Sequence, residues 1–188
     1  MFDTWSECEA QIKGCKGALF KGFATRDEAE AAFRNGYEAP EVTHKTQPTK
    51  EGPQPEEQAI AVDAACSGNP GKMEYRGVFV ATGTELFKSK VYEGGTNNIG
   101  EFLAIVHCLA WQQKKRLHYP IYSDSVNGMK WVSDKMCKTK LKPTPQNSEL
   151  FDVIRRAEQW LRTNDFRLPI FKWKTEIWGE IPADFGRK

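Results

Sequence analysis

Residues 59–66 read AIAVDAAC, an apolar run of small and β-branched side chains that contains a single carboxylate, Asp63. Such a run is typical of a strand that is buried on both faces of a sheet. A carboxylate in this setting is costly to bury unless a cation or hydrogen bonds compensate for the lost water. The segment therefore predicts a buried strand and a charged or polar partner for Asp63.

The sequence on both sides of this strand alternates between strand and helix patterns. Two more strands follow directly, and later strands are separated by amphipathic helices with capping residues at their starts. Three strands followed by alternating helices and strands predict an α/β fold with a five-stranded mixed sheet flanked by helices. The predicted strands are 59–66, 77–82, 86–92, 119–123 and 169–173, and the predicted helices are 97–111, 125–136 and 147–161.

Four carboxylates lie at informative places in this pattern. Asp63 is in the first strand, Glu101 is in the first turn of the first helix, Asp124 ends the fourth strand and Asp184 follows the fifth. If the first and fourth strands are neighbours, Asp63 and Asp124 converge, with Glu101 reaching in from the helix. Clustered carboxylates favour hard divalent cations, and two cations about 3.5–4 Å apart are the usual centre for phosphodiester cleavage. Taken singly, Asp124 is also explained as the N-cap of the helix that follows, and Glu101 as an acid that interacts with the positive end of the helix dipole.

Each of these acids belongs to a longer motif. The motifs are IAVDAACSGNPG (60–71), GGTNNIGEFLAIVHCL (94–109), PIYSDS (120–125) and WGEIPADFGRK (178–188). Together they resemble type 1 ribonuclease H, in particular a bacterial branch with a W-G-E-x-x-A-D-F-G-R-K ending. The resemblance covers residues 59–188. It implies a ribonuclease H-like fold and an endonuclease that cuts the RNA strand of RNA–DNA hybrids, leaving 5′-phosphate and 3′-hydroxyl ends.

The resemblance also implies a role for each acid. Asp63, Glu101, Asp124 and Asp184 match the four carboxylates that hold two Mg²⁺ ions, for which Mn²⁺ substitutes. Asp63 would bridge both ions, Glu101 and Asp124 would hold the ion near the leaving oxygen, and Asp184 the ion that activates water. Many relatives carry a mobile histidine before the last carboxylate, but this loop contains none. Glu180 is the expected substitute, acting in product release.

Substrate contacts are implied for polar and small residues near the carboxylates. Residues 96–98 open a helix, where backbone N–H groups suit a phosphate. Contacts in an A-like minor groove distinguish RNA from DNA through the 2′-hydroxyls. Without the resemblance, the asparagines are equally turn or cap residues, and the lysine-rich stretch 135–142 is equally a solvated helix end. The implied contacts are Ser67, Gly68, Asn69, Thr96, Asn97, Asn98, Ser125, Thr139 and Lys172.

The N-terminal region predicts a small α+β appendage at 1–36, joined by a proline- and glutamate-rich flexible linker at 37–58 to the catalytic domain at 59–188. Thr4 and Thr25 predict helix caps, with a strand at 17–25 between the helices. The appendage resembles a truncated hybrid-binding (viroplasmin-like) domain. That resemblance implies hybrid contacts by Trp5, Phe20 and Lys21, although Trp5 and Phe20 are equally the core of a small unit.

Composition narrows the remaining classes. No stretch approaches the roughly 20 apolar residues of a membrane span, and the first residues lack the features of a signal peptide. Five cysteines without C-x-x-C spacing favour the cytoplasm over a disulfide framework. Residues 59–188 carry six more basic than acidic side chains, which attracts polyanions. We expect a monomer acting on hybrids; a resolvase or integrase of the same superfold and a hybrid-coating protein are the alternatives.

Overall fold

The computed structural model describes residues 2, 4–12, 22–23, 25–34 and 53–186. The chain divides into two units, Met1–Thr46 and Gln47–Lys188, and each is described by itself. The predicted linker at 37–58 lies outside the described residues as far as residue 52.

The first unit contains two short helices, α1 (Trp5–Ile12) and α2 (Arg26–Arg34). Thr4 Oγ1 accepts from the backbone N–H of Glu7 at 3.4 Å, and Glu7 Oε2 accepts from the backbone N–H of Thr4 at 3.3 Å. This reciprocal pair satisfies two of the unpaired donors at the helix start. Thr25 Oγ1 caps α2 by accepting from the backbone N–H of Glu28 at 3.3 Å, so both predicted helix starts are confirmed. Most of the predicted strand at 17–25, including Phe20 and Lys21, lies outside the described residues.

The second unit is built on a mixed sheet of six strands. The strands are β1 (Ile60–Gly68), β2 (Gly71–Phe79), β3 (Glu85–Lys88), β4 (Tyr92–Gly95), β5 (Ile121–Ser123) and β6 (Ile170–Lys172). Strand β2 pairs antiparallel with β1, β3 and β4, and β5 and β6 add to the other side of β1 in parallel. The order is β3-β2-β1-β5-β6, with β4 also pairing with β2. The predicted mixed sheet is confirmed, with one strand more than expected.

The predicted bounds of the second and third strands were wrong, and those of the other three shift by one or two residues. The second strand begins at Gly71 rather than at residue 77 and ends at Phe79 rather than at residue 82. Its start was missed because its charged residues find partners across the sheet: Lys88 pairs with the buried Glu74 at 2.8 Å. The predicted strand at 86–92 is two strands, β3 and β4. At the break, the Ser89 hydroxyl accepts the backbone N–H of Tyr75 at 2.9 Å, which takes the place of a ladder bond.

The predicted helices are confirmed, with shifted ends. The first extends to Lys115 and stops at Arg116, which adopts the left-handed conformation with φ 56°. The second stops at Ser133 rather than at residue 136. A short helix after β6 was not predicted. The helices are α3 (Asn97–Lys115), α4 (Val126–Ser133), α5 (Ser148–Thr163) and α6 (Thr175–Trp178), with a 3-10 turn at Pro145–Asn147.

Strand β1 is buried on both faces, as its apolar run predicts. Ile60, Val62 and Ala64 point to the main core under α3 and α5. Ala59 and Ala61 point to a smaller core on the opposite face, where aromatic and C-terminal residues pack. This second core contains Val78, Tyr122, Trp173, Ile181 and Ala183. None of the described helices is both long and apolar enough to cross a membrane.

Candidate metal centre

Two parallel strands bring two carboxylates to the same level of the sheet. Ile60 pairs with Ile121, and the register continues along β1 and β5. Extended by two residues beyond the last pair, it places Asp63 level with Asp124, the residue directly after β5. Because β5 ends there while β1 continues, both side chains lie at the point where the central strands separate.

Helix α3 supplies the third carboxylate through a close approach to the sheet. A Cβ added at Gly100 would lie 2.6 Å from Ala64 Cβ and 2.8 Å from Met73 Sδ, so only glycine permits this packing distance. The next residue, Glu101, is buried on the side of α3 that meets β1. It lies in the second turn of the helix, not in the first turn as predicted.

Both oxygens of the Glu101 carboxylate have a donor. Asn97 Nδ2 donates to Oε1 at 2.7 Å, and the Ser125 hydroxyl donates to Oε2. Ser125 also caps α4, because its Oγ accepts from the backbone N–H of Gly128 at 2.9 Å. Asn97 and Ser125 were predicted as substrate contacts, and sequence reasoning missed that they orient Glu101. The signal was a serine in a cap position directly after Asp124.

The three carboxylates form a compact group. One oxygen each of Asp63, Glu101 and Asp124 lies within 4.8 Å of the other two. Asp63 and Glu101 are only 6% and 8% exposed. Asp124 Oδ1 is buried and lacks a hydrogen-bond partner, the one such side-chain atom among the described residues. A buried carboxylate oxygen without a donor, close to two other acids, is suited to bind a cation.

Burial and mutual repulsion raise the pKa of each acid. Loss of water, followed by the charge of Asp124, raises the pKa of Asp63 to about 8. Burial also raises the pKa of Glu101, opposed first by the hydrogen bond from Ser125. For Asp124, burial raises the pKa, and the nearby Lys172 ammonium opposes the rise. The site therefore disfavours three negative charges in the absence of a compensating cation.

Asp184 lies near this group but outside it. Its charge helps to raise the pKa of both Asp63 and Asp124, although the close group among the described residues comprises the other three acids. Asp184 Oδ2 accepts from the backbone N–H of Gly186 at 2.9 Å. The Arg76 side chain donates to the backbone carbonyls of Ala183 and Asp184, a contact that sequence reasoning missed. Glu180 is exposed, and its charge adds to the rise in the Asp124 pKa.

The other predicted substrate contacts lie in several parts of the second unit. Residues 67–69 are exposed at the turn from β1 to β2, and Gly68 has φ 100°, which favours glycine. Thr96 caps α3 by accepting from the backbone N–H of Ile99, and the exposed Asn98 is in its first turn. Lys172 is exposed at the end of β6, within electrostatic range of Asp124 and Glu101. Thr139, by contrast, lies in the segment after α4.

The three clustered carboxylates, Asp63, Glu101 and Asp124, fit a hard divalent cation. The donor set is carboxylate oxygen, which Mg²⁺ and Mn²⁺ prefer, and one of its atoms is buried without a partner. The hydrogen bonds to Glu101 fix the direction of its oxygens before any ion arrives, as outer partners of metal ligands do. Asp63, Glu101 and Asp124 are therefore the residues that would hold the ion.

Comparisons with known proteins agree with this chemistry. Residues 55–170 match the sequence model of the family described as RNase H, and residues 1–33 match the one described as Ribonuclease H1 N-terminal domain. A Ribonuclease H of Neorickettsia sennetsu is 30% identical over an alignment of 111 residues that covers 57% of this chain and 70% of that protein. A Ribonuclease H of Crithidia fasciculata is 26% identical over 167 residues, covering 58% of this chain and 34% of that protein.

Among solved structures, the RNase H1 of the halophilic archaeon Halobacterium salinarum NRC-1 is similar, with 19% identity and a TM-score of 0.42 over 61% of this chain and 83% of that one. The family is divalent-metal dependent, in keeping with the acidic group described above. Since the RNase H sequence model spans more than half of the residues, the chain belongs to the ribonuclease H family of enzymes.

Proposed function

We propose that this protein is an endonuclease that hydrolyses the RNA strand of RNA–DNA hybrids with two divalent ions, leaving 5′-phosphate and 3′-hydroxyl ends. The observation that carries the proposal is the buried group of Asp63, Glu101 and Asp124, with its unpartnered Asp124 oxygen, in a chain of the ribonuclease H family. Mg²⁺ is the proposed ion and Mn²⁺ its substitute. The W-G-E ending supports the proposal that the chain belongs to the bacterial branch that it resembles.

The four acids have distinct proposed roles. Asp63 is the proposed bridge, which is supported by its burial and by the charges of Asp124, Glu101 and Asp184 that all raise its pKa. Glu101 and Asp124 would complete the site of one ion, and Asp184 would complete the site of the other. Bound ions would polarise the scissile phosphate and lower the pKa of a water. The chain itself contributes rigid placement: Glu101 keeps its orientation because Asn97 and Ser125 each donate to one of its oxygens.

Glu180 is the proposed substitute for the mobile histidine of other members, assisting product release. The position and charge of Glu180 support this role. The side chain is exposed to solvent. Its charge reaches Asp124, because it contributes to the raised pKa of that acid. It lies between α6 and Asp184, in a segment without regular secondary structure.

The hybrid is proposed to lie across the residues around the carboxylates. Asn69, Asn97 and Asn98 would read the minor groove, with Ser67, Gly68 and Ser125 beside them. Thr96, Asn98 and Thr139 would hold a DNA phosphate, and Lys172 would contact the backbone near the cut. The surplus of six basic side chains in 59–188 supports this, because it persists although that segment contains all four acids.

The N-terminal unit is proposed to add affinity for the hybrid. It matches the family model named Ribonuclease H1 N-terminal domain. We propose the layout 1–36 for this unit, 37–58 for a flexible linker and 59–188 for the catalytic domain, acting as a monomer. Trp5, Phe20 and Lys21 are its proposed contacts; Trp5 belongs to α1, and the other two lie outside the described residues.

A substrate panel tests the proposal. The full chain is incubated with Mg²⁺ and, separately, an RNA–DNA hybrid, double-stranded RNA, single-stranded RNA and duplex DNA. We expect cleavage of the hybrid RNA strand alone, with 5′-phosphate ends by end-labelling, and loss of cleavage with retained binding in Asp124→Asn. Cleavage of duplex DNA would favour a resolvase or integrase, and binding without hydrolysis would favour a hybrid-coating protein. Either outcome removes the proposed function.

A further inference from the structure

The segment that carries Asp184 has neither a strand nor a helix to fix it. It follows α6, and its own hydrogen bonds are local: the backbone N–H of Asp184 donates to the carbonyl of Ile181 at 2.8 Å, and that of Gly186 to Asp184 Oδ2 at 2.9 Å. These local bonds shape the turn, and the buried side chains of Ile181 and Ala183 pack it onto the second core. Hydrogen bonds that attach its backbone to the sheet must come from elsewhere.

Arg76 of β2 makes such a contact. Its Nε donates to the carbonyl of Ala183 at 2.9 Å, and its Nη2 donates to the carbonyl of Asp184 at 2.6 Å. These carbonyls belong to the two peptide units on either side of the Asp184 Cα. Because the guanidinium is planar and its donors are fixed in direction, both peptide units are oriented together. The direction in which the Asp184 side chain leaves the backbone is thereby set.

Phe185, the residue after Asp184, adds a second contact with the same strands. The Phe185 ring lies 4.8 Å from Arg76 Cζ and 5.3 Å from Lys88 Nζ, a cation–π arrangement with two cations. Lys88 is opposite Arg76 in the register of β2 and β3, and it pairs with the buried Glu74 at 2.8 Å. The contact surface is therefore formed by ordered strand residues and not by a loop.

The register of the sheet connects this contact of Arg76 with the Asp184 segment to the metal centre. Arg76 is directly opposite Asp63 in the pairing of β1 with β2. We infer that Arg76 is a positioning residue, which holds the Asp184 segment against the strand pair that carries Asp63 through the carbonyls of Ala183 and Asp184. The inference rests on the proposed function, since it deepens the role of Asp184 at that site.

A purely electrostatic role for Arg76 makes a different prediction. The ion pair that the structure gives Arg76 is with Glu85, at 3.4 Å, and Glu85 does not contact the carbonyls. If only charge balance mattered, removing the negative charge of Glu85 would also change the centre, in the opposite direction to removing the positive charge of Arg76. If the hydrogen bonds to the two carbonyls matter instead, Glu85→Gln leaves kcat and Mn²⁺ affinity unchanged.

The test compares Arg76→Met, Arg76→Lys and the control Glu85→Gln in the full chain. Arg76→Met keeps most of the side-chain volume but loses the donors, and Arg76→Lys keeps the charge but not the planar fork. We expect Arg76→Met to lower kcat on the hybrid by about 10–100-fold with KM within about twofold, and Arg76→Lys to fall between it and the wild type. Mn²⁺ affinity, measured by calorimetry without substrate, should fall by about tenfold in Arg76→Met.

A double-mutant cycle separates positioning from general destabilisation. If Arg76 acts through Asp184, adding Arg76→Met to Asp184→Asn lowers Mn²⁺ affinity by less than about twofold more. Wild-type kcat and Mn²⁺ affinity in Arg76→Met, or an equal loss in the Asp184→Asn background, overturns the inference. A wild type that leaves hybrids uncut overturns the proposed function instead, while the Mn²⁺ titrations still decide the role of Arg76.

Discussion

Replacing Gly100 by alanine tests how the packing of α3 on the sheet controls the metal centre. The new Cβ would lie 2.6 Å from Ala64 Cβ, about 1 Å inside an ordinary carbon–carbon contact. Met73 can move its Sδ away, because the thioether is at the end of a flexible side chain. Ala64 cannot, because its Cβ is fixed to the backbone of β1. The helix must therefore shift away from the sheet, and it carries Glu101 with it.

The expected magnitudes differ for stability and for metal binding. Overpacking costs about 1–3 kcal/mol, and the better helix propensity of alanine returns about 1 kcal/mol. We therefore expect Gly100→Ala to lower the free energy of unfolding by about 1 kcal/mol. Displacement of Glu101 from the other acids should weaken divalent-ion binding by about tenfold, as loss of an outer partner does. The loss of function is thus expected to exceed what the loss of stability explains.

Urea unfolding and Mn²⁺ calorimetry measure the two quantities on the same preparations. The matched control is Ala64→Gly combined with Gly100→Ala, which removes the 2.6 Å contact while keeping the alanine in the helix. We expect the double variant to recover part of the Mn²⁺ affinity, giving a coupling of opposite sign to the single losses. If Gly100→Ala binds Mn²⁺ as tightly as the wild type does, the close approach of α3 does not position Glu101.

Three further predictions address the residues around the acids. Ser125→Ala removes the cap of α4 and the donor to Glu101, so we expect a loss of about 1 kcal/mol in unfolding by urea and weaker Mn²⁺ binding by calorimetry; unchanged Mn²⁺ affinity would show that the donor is dispensable. Glu180→Gln should slow multiple-turnover cleavage while leaving single-turnover cleavage near the wild-type rate, and equal multiple-turnover rates would refute its role in product release. The pH dependence follows from Asp63, whose pKa of about 8 exceeds the unfolded value of about 3.9. The folded state then binds more protons between these values, so the metal-free protein should lose stability as pH rises from about 4 to about 8. Urea midpoints in EDTA at pH 5 and pH 8 measure this, and a higher midpoint at pH 8 would contradict it.

The sequence predicted the strands whose burial shows in their own residues. β5 consists of buried residues, β1 begins with five of them, and both were found close to their true bounds. β2 was found only in its last three residues, 77–79, because Glu74 and Arg76 make the part before them look polar. Their partners, Lys88 and the carbonyls before Phe185, come from elsewhere in the chain. A local pattern cannot reveal that a charged residue is paired across a sheet.

The same limit applies to the candidate site. Asp63, Glu101 and Asp124 were selected from motifs, and the structure brings them together. The role of Ser125 depends on how closely α4 approaches α3. That distance is set at Gly128, where an added Cβ would be 3.3 Å from Glu101 Cβ. Such an approach between helices is a tertiary property, so the hydrogen bond from Ser125 to Glu101 was not predictable from the spacing of the residues. The hydrogen bond from Asn97, by contrast, joins positions i and i+4 of α3, a spacing that the sequence does show.

Three acids of the metal centre lie in or beside regular secondary structure and the fourth lies in an irregular segment, and this difference has a physical consequence. Asp63 and Glu101 belong to a strand and a helix, and Asp124 lies between a strand and a helix cap. Asp184 belongs to a segment without regular structure. The three rigid acids cannot move apart to relieve their repulsion, so the raised pKa values persist until a cation or a proton arrives. The backbone of Asp184 is held instead by the hydrogen bonds from Arg76 and by the buried Ala183 beside it, so the contribution of Asp184 depends on these contacts. A change at Arg76 should therefore act mainly on the Asp184 side of the centre, whereas a change at Gly100 or Ser125 should act on Glu101.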